Sequence, residues 1–80
     1  MSINDAVASR VVNLMRKNKI TQYRLEQDSG IVHGAMDRIL NGQNKTVTLT
    51  TIFKLARGFK MSVIEFLDDE AFNLDTVEID

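Results

Sequence analysis

Residues 21–42 read Thr21-Gln22-Tyr23-Arg24-Leu25-Glu26-Gln27-Asp28-Ser29-Gly30-Ile31-Val32-His33-Gly34-Ala35-Met36-Asp37-Arg38-Ile39-Leu40-Asn41-Gly42. Thr21 is a natural N-cap for a short helix over 22–29, because a hydroxyl ahead of a helix accepts from an N–H that has no partner inside it. Ile20, just ahead of the cap, is placed to staple onto Leu25. Gly30 ends that helix where the chain needs a left-handed residue. Ile31 and Val32 bridge a turn of about three residues. A second helix then runs over 33–40 with Met36, Ile39 and Leu40 facing the core, and Asn41-Gly42 stops it. A glycine turn this tight crosses two helices steeply and leaves the second projecting. A projecting helix of that size fits the major groove of B-DNA, roughly 12 Å wide.

Outward from this stretch the chain continues to read as helix. Val7, Val11, Leu14 and Met15 recur at helical spacing, predicting a helix over about 5–17 capped by Asn4 or Asp5. Arg16, Lys17 and Lys19 gather at its carbonyl end, where cations are favoured. Residues 43–47 form a polar loop. Thr48 caps a further helix carrying Ile52, Leu55, Ala56 and Phe59, and Ser62-Val63-Ile64-Glu65 is a capping box opening one with Ile64, Phe66 and Leu67. The expected fold class is therefore all-α: a compact five-helix domain over 1–69 and an acidic C-terminal tail over 70–80. In that tail Phe72, Leu74, Val77 and Ile79 are compatible with a strand, a docking arm or disorder.

Composition narrows the function classes. Eighty residues without cysteine or proline form one domain, with no disulfide and no thiolate metal site. No apolar run approaches the roughly 20 residues of a membrane span, and the N-terminus lacks the order of a signal peptide, so a cytoplasmic protein is expected. The net charge is −1. Its distribution is uneven: ten basic residues against five acids put +5 on residues 1–67, and six acids without a base put −6 on the last 13. A single histidine cannot assemble a zinc site or a Ser–His–acid set with any neighbour the sequence identifies, and the glycines form no phosphate loop. No enzyme, metal or cofactor is expected.

The segments Thr21–Leu25, Ser29-Gly30-Ile31 and Met36–Gly42, followed by Thr48–Ile52, Leu55-Ala56 and Ser62–Leu67, together resemble the XRE, or Cro/lambda-repressor-like, helix-turn-helix family of bacteria and phages. The resemblance spans roughly residues 7–67, and it is order, spacing and length together that make it specific. It implies a lambda-repressor-like DNA-binding domain that acts in transcriptional regulation, as a repressor, with residues 33–40 as the recognition helix. By resemblance, base edges would be met by Val32, His33, Gly34 and Asp37: His33 donating to guanine, Val32 touching a thymine methyl, Asp37 accepting from cytosine N4. Gln22, Asn41, Gln43, Asn44 and Lys45 would hold the DNA backbone, positioning the protein without reading sequence.

Three positions depart from the family pattern. Glu26 stands where a small residue is usual and must find a partner or solvent. Met15 and Leu40 replace a frequent arginine–glutamate pair, which an apolar contact can match in stability. Lys60 replaces a common glycine after the fourth helix, implying a strained turn.

Ordinary structural roles stand beside these readings. His33 can equally be a solvated or capping residue, Gly34 a tolerated surface glycine, and Asp37 an i,i+4 partner of His33. One recognition helix reads too few bases to find a site in a genome, so a homodimer reading half-sites roughly 34 Å apart is expected. Ile64, Phe66, Phe72, Leu74 and Val77 are its candidate surface. The alternative is a protein-interaction module, such as an antitoxin or regulatory partner, using the acidic tail.

Overall fold

The computed structural model of the chain describes residues 1–44 and 46–79. Helices α1 (Ile3–Asn18), α2 (Gln22–Ser29), α3 (His33–Leu40), α4 (Leu49–Gly58) and α5 (Val63–Leu67) follow in order, then a 3₁₀ turn over Glu70–Phe72. The fold is all-α, with no strand among the described residues.

Caps explain most boundaries. Thr21 Oγ1 accepts from the Arg24 N–H at 3.1 Å and Thr48 Oγ1 from that of Thr51 at 3.2 Å. Ser62 and Glu65 form both halves of the capping box, at 3.0 and 3.2 Å. The expected cap of α1 is corrected: Ser2, not Asn4 or Asp5, accepts from the Asp5 N–H at 3.1 Å, and the helix starts two residues earlier. The apolar stripe begins at Val7 and so concealed the first turn; Ala6 is fully buried there, but Ile3 is exposed.

Helices α1, α3 and α4 end in the same way. A left-handed residue follows each, directly after α1 and one residue further on after α3 and α4, and its N–H, with the next one, returns to the last turn. For α4 the Lys60 N–H donates to the Arg57 carbonyl and that of Met61 to Ala56. Gly42 serves this purpose after α3, but Lys19 (φ 54°) and Lys60 (φ 58°) serve it after α1 and α4. The turn expected to be strained at Lys60 is therefore present, and Lys19 makes a second.

The core is one cluster drawn from all five helices: Val7, Val11 and Leu14 from α1, Leu25 from α2, Met36 and Ile39 from α3, Ile52, Leu55 and Ala56 from α4, and Phe66 from α5. Met15, Ile20 and Leu40 pack against it half-buried. Helices α2 and α4 approach closely because Gly58 has no side chain: a Cβ there would lie 2.8 Å from Leu25 Cδ1 and 2.9 Å from Ser29 Cβ.

Phe66 is another correction. It is fully buried and cannot belong to a dimer surface, and Phe72 is half-buried against it, ring centroids 6.1 Å apart. In a five-residue helix one register decides this: Phe66 points inward, while Ile64 points outward at 82% exposed. The segment beyond Asp69 returns along α1 to the N-terminus ahead of it, where the Glu78 N–H donates to the Met1 carbonyl at 2.8 Å. No helix among the described residues is long and apolar enough to cross a membrane.

Candidate nucleic-acid interface

Helix α3 presents a polar stripe. Met36 and Ile39 bury one side, while His33, Gly34, Arg38 and Asn41 are exposed on the other and Asp37 is half-exposed. Val32, the residue ahead of the helix, is 72% exposed and makes no side-chain cap bond. The turn delivering α3 depends on Gly30, which sits at φ 81°. A Cβ there would be strained by that angle and would lie 3.0 Å from Arg57 Nη2, which donates to the Ser29 carbonyl. Ser29 is fully buried, and its hydroxyl accepts from the Ile31 N–H at 3.1 Å, closing the turn from inside.

The structure brings four polar residues together across the α2–α3 joint. Gln22 Nε2 donates to Glu26 Oε2 at 2.9 Å and to Asp37 Oδ1 at 2.7 Å. His33 Nδ1 lies 2.8 Å from Glu26 Oε2, and Nε2 lies 3.3 Å from Asp37 Oδ2. The Glu26 side chain is 11% exposed, that of Asp37 50% and that of His33 71%. Acceptance by Glu26, with the two nearby negative charges, holds the His33 ring above its ordinary value of 6.5. The carboxylates meet opposite nitrogens of one ring, so the three side chains do not converge on a point where a metal could sit.

The other expected residues fall differently. Gly34 has open space around it, the nearest group to an added Cβ being Arg38 Nη1 at 3.8 Å. The Asn41 amide turns back onto the Asp37 carbonyl at 2.9 Å, finishing α3. Gln43 is exposed, and the Asn44 carbonyl accepts from the Asn4 side chain, which ties the loop to α1. Lys45 lies outside the described residues.

Two residues carry more of this face than sequence reasoning assigned them. Glu26 was legible only as a misfit; its partner is 7 residues away across the turn. Lys54, half-buried, lines a shallow groove beside α3 with Val32, Ala35, Thr46 and Thr51. On the sequence it is only a polar position of α4, and nothing marks it as a neighbour of α3.

A capped helix, a glycine joint and an exposed second helix packed over a common core define a helix-turn-helix protein. The model of the Cro/C1-type HTH DNA-binding domain matches residues 10–71, and the chain belongs to that family. The match runs past Asp69 into the 3₁₀ turn. No curated protein and no solved structure matches the chain at a significant level.

Proposed function

We propose that the chain is a sequence-specific regulator of transcription, a repressor that binds duplex DNA as a homodimer with α3 in the major groove. The exposed stripe of α3, held out by the Gly30 turn, is the observation that carries this reading. Val32, His33, Gly34 and Asp37 face base edges at the start of the helix, and Asn41, Gln43, Asn44 and Lys45 hold the backbone beyond it. Gln22 reaches a phosphate only by releasing one of its two carboxylates. Lys54, flanking the groove, joins the backbone set.

The homodimer rests on arithmetic: each good base contact supplies about 1–3 kcal/mol, and one two-turn helix makes few of them. Of the residues first considered for the dimer surface, Ile64 and Leu74 remain exposed, at 82% and 78%. The same acidic tail, with Leu74 and Ile79 exposed in it, also suits a protein partner, which is the second reading.

Selection of bound sites from random duplex DNA tests the proposal. Inverted half-sites roughly 34 Å apart are expected. His33→Ala should relax preference at one position per half-site. Lys45→Ala and Lys54→Ala should weaken all sequences alike, each lowering the salt slope by about one unit. Absence of any preferred duplex at moderate salt overturns it.

A further inference from the structure

The site contains two acids that DNA would repel unless something neutralised them. The carboxylates of Glu26, on α2, and Asp37, one turn into α3, both reach the ring of His33, the first residue of α3, and His33 is the one cation that touches either of them among the described residues. We propose that Glu26 is a positioning residue that holds His33 in its doubly protonated form, so that the Nε2–H of His33 reads guanine as a proton-linked contact. The inference rests on the DNA-binding reading above and adds to it the state of the reading side chain.

The geometry assigns the protons. Gln22 Nε2 has two hydrogens, taken up by Asp37 at 2.7 Å and Glu26 at 2.9 Å. Its 3.4 Å approach to His33 Nδ1 therefore has no proton left to share, and Nδ1 must carry its own, given to Glu26. With Nδ1–H pinned in this way, a neutral ring presents a bare Nε2, which can only accept. Guanine offers acceptors, O6 and N7, to the major groove. Only the cation, with a hydrogen on both nitrogens, can donate to guanine from this pose.

The two contacts of the ring differ in strength. The bond to Glu26 is short, 2.8 Å, and its acceptor is 11% exposed; the contact to Asp37 is 3.3 Å, and its acceptor is 50% exposed. Nε2–H is the end that exchanges its partner for a base at little cost. Two groups oppose the charge. The N-terminus of α3 carries roughly half a positive charge, and Arg38, on the same face, reaches back toward Gly34. Two full carboxylates within 3.3 Å outweigh them, in line with the raised pKa of the ring. The turn residues Gly30–Val32, which complete the surroundings of the ring, contribute no titratable side chain. Losing the proton would also leave the cluster at −2 against DNA, so binding and protonation favour each other.

The test uses the full chain and a selected duplex, compared with the same duplex carrying adenine at the His33-dependent position. Wild type should prefer guanine by about tenfold below the pKa of His33 and lose that preference above it. Glu26→Gln should move both the ring titration, followed by NMR on the only histidine, and the loss of preference to lower pH together. His33→Gln, whose amide donates and accepts at every pH and suits adenine as well as guanine, should show a guanine-to-adenine ratio that does not change with pH. A guanine preference in wild type that is independent of pH overturns the inference, as does an unchanged pH profile in Glu26→Gln. If Glu26→Gln does not fold, the contrast between wild type and His33→Gln decides alone. A chain with no preferred duplex at any pH instead removes the regulator reading itself.

Discussion

Arg10 Nε donates to the carbonyl of Phe66 at 2.8 Å, joining the first helix to the last across the whole chain. The same guanidinium donates to the Glu65 carbonyl at 2.8 Å, pairs with Asp69 at 3.3 Å and lies 5.8 Å from the Phe66 ring. Both carbonyls lie in the last turn of α5; that of Glu65 also accepts from the Asp68 N–H at 3.3 Å, and that of Phe66 is met by Arg10. Arg10→Met keeps the aliphatic stem but leaves the Phe66 carbonyl without its partner, while that of Glu65 keeps the Asp68 N–H, so it should cost about 1–2 kcal/mol. Thermal unfolding should fall by roughly 5–15 °C, and an unchanged melting temperature would contradict the clamp.

Lys60 sits at φ 58° in a turn that glycine adopts freely. Lys60→Gly should stabilise the chain by about 1 kcal/mol, raising the melting temperature by roughly 4–8 °C. Lys19→Gly, at φ 54°, should act in the same direction. A loss of stability in both variants would show that the lysine side chains contribute more than the strain removes.

Gly34 lies in open space inside a helix, so Gly34→Ala should fold more stably, by up to about 1 kcal/mol. Its DNA affinity should nevertheless fall, because the added methyl stands on the face offered to the groove. Equal affinity of the two forms would make Gly34 a tolerated surface residue and nothing more.

The pH dependence of stability follows from His33. Its folded pKa is raised above the ordinary 6.5 by the Glu26 bond and by Asp37. A raised pKa means that the folded chain binds the proton more tightly than the unfolded one. The resulting stability is fully present below 6.5 and is lost as pH rises through the folded value. The melting-temperature gap between wild type and His33→Gln should therefore shrink on going from about pH 6 upward. A gap that widens with pH would reverse the sign.

The acidic tail can be trimmed, but not at Asp69, since Phe72 packs against the core. Truncation after Asn73 keeps that contact and removes Asp75, Glu78 and Asp80. DNA affinity should rise, more at about 50 mM salt than at about 200 mM, as screening dictates. Weaker binding by a folded truncated chain would give the tail a positive role instead.

Much of the architecture was legible along the chain because its signals are local. Thr21, Thr48 and Ser62 each cap a bond to an N–H three residues on, and Gly30 stops α2 through its own φ. The cap of α1 was missed because its first turn carries little of the apolar stripe. Glu26 was visible as an anomaly and His33 as a candidate, yet nothing in their spacing says that they touch.

By itself the sequence determined five helices, their order and the projecting second helix of the joint, because caps, periodicity and glycine stops act within a turn or two of chain. Only the tertiary structure decided that Phe66 is core while Ile64 is surface, that Lys54 flanks α3, and that Glu26, His33, Asp37 and Gln22 share one network. Those outcomes depend on how helices cross and on which side of a short helix turns inward. A crossing angle is set by packing against residues far away in the chain, such as Gly58 against Leu25 and Ser29, and no local pattern encodes it.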